Sequence, residues 1–454
     1  MSTDFRDRPS MLDQYGGRLP LFPAEVRGVW RSRRTVVQVV LMLVFLLLPW
    51  IHINGAPAVL MDLGQHRFAF FGLKLWAHDS PLLFPVLGIF ALGLALVTAL
   101  YGRIWCGWAC PQTVFLDGVI RRIERWTEGT HLQRRALAAA PWSFDKARRK
   151  VLKWALFVLF TILLTHTFLA YFFGTDGVLS MLARDPRENW GAFVFILFAN
   201  GLMLFDLAWF REQFCMIVCP YGRIQSVLMD RQTVVVQYDS ARGEPRKAKG
   251  VAAPGACVSC NRCVNVCPTG IDIRNGLQLE CISCTACIDA CDDVMEKTKQ
   301  PKGLIRHFAL NPGPSIWRRP RILLYLIALL LLAGSLIFAL SSHSTLSVTV
   351  LRALDTPYFE RQNENGEAII VNSYRLHAHN QTDAALRMQV SLESTPEATL
   401  RVPESMLELK QDQSRMIPFT VEVPKTSLQG RGGLPLKIRV QEQTYEVEFV
   451  APHF

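Results

Sequence analysis

The sequence predicts an α-helical polytopic membrane protein with five spans, an inserted dicluster ferredoxin-like segment and a C-terminal all-β immunoglobulin-like sandwich. Half of the 454 residues are hydrophobic, and several apolar runs approach the roughly 20 residues that a helix needs to cross a bilayer. Eight of the twelve cysteines lie in two tight runs between residues 257 and 291. After residue 345, short alternating segments replace the long apolar runs, as is typical of β-strands.

Five apolar segments are predicted to span the membrane. They are Thr35–Ile53, Leu82–Tyr101, Val151–Phe173, Trp190–Phe210 and Ile322–Leu340. The N-terminus and the segments after the second and fourth spans are rich in Arg and Lys, whereas the loops 54–80 and 174–189 are poor in them. The positive-inside rule therefore predicts a cytoplasmic N-terminus, cytoplasmic cysteine motifs and an external C-terminal domain. The same asymmetry and anionic lipid explain the net charge of +11, so we expect no nucleic-acid partner.

These spans predict the domain organisation. The predicted parts are a cytoplasmic N-terminal segment (1–34), a four-span membrane domain (35–230), a cytoplasmic ferredoxin domain (231–310), the fifth span (321–340) and an external immunoglobulin-like domain (345–454). The alternating segments of the last part are Leu346–Leu351, Ala368–Ala378, Leu386–Leu392, Met416–Val423, Leu436–Val440 and Tyr445–Val450. Turn-rich spacers between them favour a β-sandwich.

The two cysteine runs each have the C-x2-C-x2-C-x3-C spacing of dicluster ferredoxins. In that pattern three thiolates bind one 4Fe-4S cluster and the fourth binds the other cluster. One predicted ligand set is Cys257, Cys260, Cys263 and Cys291, and the other is Cys281, Cys284, Cys287 and Cys267. A structural zinc site fits less well, because zinc ligands come as separated C-x2-C pairs.

The other four cysteines form two pairs, Cys106/Cys110 and Cys215/Cys219, and a proline follows each pair. The pairs are related by an internal repeat of two spans, which predicts that they lie at one membrane depth. If each pair lies on one helix, both sulfurs share a face and can hold a single soft metal ion such as Cu(I). Two alternatives remain open: buried apolar cysteines, and a transient redox disulfide.

Three polar residues lie in or beside the predicted spans. We expect His52 and His166 to be structural, whereas Asp206 either hydrogen-bonds within the helix bundle or lies near a metal path. No dinucleotide, ATP or c-type haem motif occurs in the sequence, so electrons must come from a separate donor.

The chain resembles the cytochrome c oxidase accessory proteins called CcoG, FixG or RdxA, which are membrane polyferredoxins. The resemblance covers nearly the whole chain and rests on the order of its motifs. These are Trp105-Cys106-Gly107-Trp108-Ala109-Cys110-Pro111, then Arg211-Glu-Gln-Phe-Cys215-x3-Cys219-Pro220-Tyr-Gly-Arg223, the ferredoxin runs, a fifth span and a sandwich. Polyferredoxins of nitrate and nitrous-oxide respiration share the spans and clusters, and the terminal sandwich favours the oxidase accessory family.

The resemblance implies a cupric reductase in the bacterial inner membrane that supports assembly of cbb3-type cytochrome c oxidase. The four paired cysteines would hold the copper that is reduced. Copper chaperones and oxidase assembly factors would be partners, the electron donor is unknown, and the copper site lies in one chain or across a homodimer. The alternatives are a quinol- or ferredoxin-linked electron relay to a partner reductase without copper chemistry, and an assembly scaffold that acts through the sandwich.

Overall fold

A computed structural model describes residues 20–53, 55–64, 67–75, 82–247, 253–309, 311, 318–341, 346–353, 356–362, 367–380, 385–393, 398–410, 413–428, 432–441 and 443–452. The chain forms two compact units, which divide after Ile337. The first unit holds the helical and ferredoxin parts, and the second holds the sandwich.

Among the described residues, five helices are long and apolar enough to cross a membrane, which confirms the predicted number. These helices are α1 (Val29–Leu47, continued by a 3-10 turn to Trp50), α2 (Leu83–Tyr101), α7 (Phe144–Ala183), α8 (Trp190–Phe205, continued by a π-helix to Phe210) and α13 (Pro320–Ser341). Shorter helices follow α2 and α8: α3 (Ile104–Trp108), α4 (Pro111–Phe115), α5 (Arg121–Glu128), α6 (His131–Ala139) and α9 (Pro220–Leu228). Large apolar side chains such as Phe198 and Leu330 point outward from the spans, as a lipid-facing surface requires.

The first span begins earlier than its predicted bounds of Thr35–Ile53. Helix α1 starts at Val29 and ends at Leu47, so the arginines of its first turns are helical. Asp289 accepts hydrogen bonds from the backbone N–H groups of Trp30 (3.2 Å) and Arg31 (2.7 Å). A carboxylate from a distant helix therefore satisfies the free N–H groups at this helix start, which hydropathy alone does not reveal.

The loops predicted at 54–80 and 174–189 contain regular structure. Short antiparallel strands fill the described part of the first loop. They are β1 (His52–Ile53), β2 (Ala56–Pro57), β3 (Val59–Asp62), β4 (Arg67–Phe70) and β5 (Leu73–Leu75). In α7, only Gly174 leaves helical geometry (φ 70°), and the helix then continues to Ala183. Glycine tolerates this left-handed conformation, so the chain kinks at the predicted end of the span instead of unwinding.

The ferredoxin segment is closed by a two-stranded antiparallel sheet, β6 (Val235–Tyr238) with β7 (Ile305–Phe308). The α-helices described between these strands are α10 (Ser240–Gly243), α11 (Arg262–Asn265) and α12 (Ala286–Lys297). Helix α11 belongs to the first cysteine run and α12 to the second. Their apolar side chains and the cysteines share one buried cluster.

The second unit is the predicted immunoglobulin-like sandwich. Its described strands are β8 (Leu346–Arg352), β9 (Phe359–Gln362), β10 (Ala368–Asn380), β11 (Leu386–Arg387), β12 (Val390–Leu392), β13 (Thr399–Arg401), β14 (Glu408–Leu409), β15 (Ser414–Pro424), β16 (Gly433–Val440) and β17 (Gln443–Val450). One sheet has the order β13-β15-β10-β8, with β9 also on β10, and another has β12-β16-β17. Tyr374 stacks on Phe419 at 5.3 Å in the core between them.

Candidate iron–sulfur and thiol site

The first predicted ligand set surrounds one cavity. The lining of that cavity includes Cys257, Cys260, Cys263 and Cys291. Cys260 is exposed, whereas Cys257 and Cys263 are buried. The structure therefore brings together the three cysteines of the first run and the last cysteine of the second run.

The second predicted set surrounds a neighbouring cavity of similar size. Its lining includes Cys267, Cys281, Cys284 and Cys287. Cys263 also contacts this cavity, so the two cavities are adjacent. The exchange of the fourth cysteine between the runs is the arrangement that the spacing predicts.

The loops around both cavities repeat an unusual backbone geometry. Ser259 and Asn261 in the first run, and Ser283 and Thr285 in the second, all have φ between 52° and 64°. Left-handed residues turn successive backbone N–H groups toward one side of a loop, which is the geometry of anion-binding nests in many iron–sulfur sites. The residues thus fit two 4Fe-4S clusters.

Burial makes these cavities unfavourable for free thiolates. It raises the pKa of Cys263 to about 11 and the pKa of Cys281 and Cys291 to about 12. Deprotonated thiols in such surroundings require bound positive charge, which metal ions supply.

The two remaining cysteine pairs come together in a single chain. Burial, with smaller contributions from negative charge at Cys110 and Cys219, raises the pKa of Cys106 to about 11 against the opposing effect of the hydrogen bond to Gln225. Burial likewise raises the pKa of Cys215, and Cys110, Cys106 and Cys219 add to that shift. All four sulfurs are therefore within electrostatic range of one another, as the repeat predicts.

The pairs do not lie on continuous helices, so the prediction of two sulfurs on one helical face is wrong. Helix α3 ends at Trp108, and Cys110 has extended geometry immediately before α4. Cys219 has the same extended geometry before α9. The physical reason is the following proline, which favours an extended preceding residue and the first position of a new helix. No three Cys, His, Asp or Glu side chains of the described residues converge closely enough to enclose one metal ion.

The first pair lies against the loop of the second cluster motif. A Cβ atom on Gly107 would overlap the carbonyl oxygen of Ile282 and lie 3.0 Å from the amide nitrogen of Cys284. The indole Nε1 of Trp108 donates to the carbonyl of Ser283 at 3.3 Å. Cys106 and Cys284 also belong to one buried apolar cluster. The backbone at Cys106 thus packs directly on a cluster-binding loop.

Two buried arginines fix this arrangement. Arg34 donates through Nε to the carbonyl of Gly107 at 2.7 Å. Arg103 donates to the carbonyls of Gly222, in the second thiol motif, and Leu279, beside the second cysteine run. The guanidiniums therefore tie the repeats to each other and to the ferredoxin segment.

One further polar residue contacts the thiols. Gln225 is fully buried on α9 and donates through Nε2 to the Cys106 sulfur at 3.3 Å. It thereby links the second repeat to the first pair. Sequence reasoning missed Gln225, Arg34, Arg103 and Gly107, and the only local signal among them was the glycine between Cys106 and Trp108.

The polar span residues have simple surroundings. His166 pairs through Nδ1 with the carbonyl of Ile162 at 2.7 Å, so its own helix satisfies that nitrogen. His52 makes a similar contact to the Trp50 carbonyl at 3.1 Å. Asp206 has one buried carboxylate oxygen without a hydrogen-bond partner.

Comparison with known proteins agrees with these motifs. A family model described as a 4Fe-4S dicluster domain matches residues 210–309, and one described as a 4Fe-4S binding domain matches 83–128. The model of the IG-like fold at the C-terminus of FixG matches residues 336–452.

Three curated relatives match along most of the chain. Protein RdxA of Cereibacter sphaeroides is 34% identical, covering 84% of this chain and 84% of the relative. Protein RdxB of the same organism is 36% identical (85% and 84%), and the nitrogen fixation protein FixG of Rhizobium meliloti is 35% identical (86% and 82%). The chain therefore belongs to the FixG/RdxA family of iron–sulfur membrane proteins.

Proposed function

We propose that this protein is a membrane-bound cupric reductase whose paired cysteines hold the copper. The observation that carries the proposal is the packing of Gly107 and Trp108 against Ile282–Cys284. This contact leaves only a short stretch of packed protein between a predicted cluster ligand and the thiol pair. Two 4Fe-4S clusters, when bound at the cysteine runs, would supply single electrons.

The exposure of the cysteines gives the direction of electron flow that we propose. Cys260 is exposed to a donor, whereas Cys284 is buried against the thiol pair. Electrons would therefore enter at the set that contains Cys260 and leave at the set that contains Cys284. The unknown donor would bind near Cys260.

The proposed reaction at the thiols is a one-electron reduction of copper. One electron reduces Cu(II) to Cu(I), and no bond of the protein is broken. Thiolates are soft ligands that favour the monovalent ion, and two suffice for its low coordination number. The raised pKa of Cys106 and Cys215 means that copper binding must displace thiol protons.

The cellular role rests on the family resemblance. The Cu(I) product would pass to copper chaperones for assembly of cbb3-type cytochrome c oxidase. The distribution of basic residues supports an inner-membrane protein with a cytoplasmic N-terminus and a periplasmic sandwich. The sandwich would then serve as a docking module for assembly factors.

The test is anaerobic purification with iron and copper quantitation, electron paramagnetic resonance and a Cu(II)-reduction assay. Cys106→Ala/Cys110→Ala should lose copper while the cluster signals remain. Cys257→Ala should bind copper but fail to reduce it. Unchanged copper binding in the first variant would refute the copper site.

The same variants separate the second candidate, an electron relay without copper chemistry. The matches to two 4Fe-4S family models favour this candidate, because they account for electron transfer and require no copper. A relay predicts reducible clusters and electron delivery to a partner reductase, with no stoichiometric copper in the wild-type protein.

A further inference from the structure

A large polar cavity lies beside the second cluster motif, and none of the four paired cysteines is among its described lining residues. Its volume is about 450 Å³. Its walls come from the start of α1, from α5 and α6, and from residues next to the cluster ligands, including Pro268 and Ala286. Neither the predicted clusters nor the proposed copper site uses this cavity.

Cationic side chains dominate its lining. Six arginines contribute, namely Arg31, Arg34, Arg121, Arg122, Arg125 and Arg134, together with His131. Among the lining residues that the structure describes, the acidic side chains are Asp117 and Glu25. The described lining therefore carries more positive than negative charge, although several of its charged side chains are buried.

The deepest carboxylate is already neutralised. Asp117 pairs with Arg34 at 3.1 Å, with Arg121 at 3.5 Å and closely with Arg31. Burial alone would raise its pKa, but the three guanidiniums hold the pKa well below its ordinary value. Asp117 thus contributes one negative charge against three positive ones, and Glu212 contributes a second through its ion pair with Arg121.

Several cationic groups retain unused donors. Arg134 is 8% exposed and already donates to Glu124, but its buried Nε, 3.8 Å from a carboxylate oxygen of Glu128, makes no hydrogen bond. Arg125 pairs only at the surface, with Glu25 at 2.9 Å. Within the described part of the chain, Arg122 has no ion pair. Buried guanidinium donors without partners are costly, and an anion in the cavity would satisfy them.

We propose that this cavity binds a phosphate-bearing anion. Arginine suits phosphate oxygens because its planar fork of N–H groups matches their geometry. The source is a lipid headgroup or a soluble phosphate compound. Trp126, 76% exposed on α5, makes the lipid source worth testing directly, because tryptophan is enriched at the membrane interface and basic pockets there bind anionic headgroups.

The experiment uses the detergent-purified full-length protein with its clusters intact. One arm measures retention of phosphatidylglycerol against phosphatidylcholine by native mass spectrometry. The other arm measures pyrophosphate binding by calorimetry at constant ionic strength. The test variant is Arg122→Gln/Arg125→Gln, which removes two charges without touching the Asp117 cluster.

The matched control is Arg148→Gln/Arg149→Gln. These arginines pair with Asp145 (3.2 and 2.7 Å) and do not line the cavity. We expect the test variant to bind roughly 10- to 30-fold more weakly, since each basic residue near a phosphate surface contributes about 1 kcal/mol. The control should change by less than about twofold.

The outcomes distinguish the sources. Selective retention of phosphatidylglycerol identifies a lipid headgroup, and pyrophosphate binding that the test variant loses identifies a soluble phosphate. Binding of neither probe to the wild-type protein, or an equal loss in the control variant, would overturn the proposal.

Discussion

Replacing Gly107 with alanine tests the contact between the thiol motif and the cluster loop. The new Cβ would overlap the Ile282 carbonyl and lie 3.0 and 3.1 Å from the amide nitrogen and Cα of Cys284. These are backbone atoms, so no side-chain rotation relieves the overlap. The two segments must separate.

The magnitude follows from the contacts that separation weakens. Overpacking costs about 1–3 kcal/mol, and loss of the Trp108–Ser283 hydrogen bond adds about 0.5–1.5 kcal/mol. Together these amount to about 1.5–4.5 kcal/mol, or a roughly 10- to 2,000-fold shift away from the docked arrangement. We therefore expect Cu(II) reduction to slow by at least about tenfold.

The assay is Cu(II) reduction by pre-reduced protein, with cluster content followed by electron paramagnetic resonance. The matched control is Gly118→Ala, because a Cβ on Gly118 meets nothing within 4 Å. Equal reduction rates in the two variants, with equal cluster content, would show that electrons do not pass through the Gly107 contact.

Three further predictions concern other parts of the chain. Gly222→Ala should lower the affinity for copper and leave the cluster signals unchanged, because the new Cβ would overlap the Cys215 carbonyl. A copper titration measures this affinity, and an affinity equal to that of the wild type would contradict the prediction. The pKa of Asp117 is lower in the folded protein than in the unfolded chain. The ionised carboxylate therefore stabilises the fold fully at pH values above the unfolded pKa of about 3.9. This stabilisation is lost as the pH falls through the pKa of the folded state. The Asp117→Asn variant should accordingly unfold at a lower temperature than the wild type at pH 7, and the difference between the two unfolding temperatures should shrink in acid. A difference that does not change with pH would refute the role of the Asp117 carboxylate. Phe449→Ala should destabilise the sandwich by about 3–5 kcal/mol, since Phe449 is fully buried; proteolysis of the full chain should cut the C-terminal unit faster without loss of cluster absorbance, and unchanged cleavage would count against this.

Local patterns were enough to predict much of the architecture. Hydropathy identified all five spans, and all six alternating segments correspond to strands between β8 and β17. Hydropathy did not predict helix boundaries such as Val29, where Asp289 caps the helix from a distant segment. It also missed the strands β9, β13 and β14, which are short or lack a clear alternation.

The sequence by itself determined which cysteines group together, because cluster ligation depends on spacing along the chain. Only the tertiary structure decided that Gly107 lies against Cys284, that Arg34 and Arg103 bridge the motifs, and that six arginines surround one cavity. These contacts join segments distant in sequence, and no local pattern encodes which surfaces meet. The physical reason is that spacing constrains residues within one or two turns, whereas close packing selects partners from the whole chain.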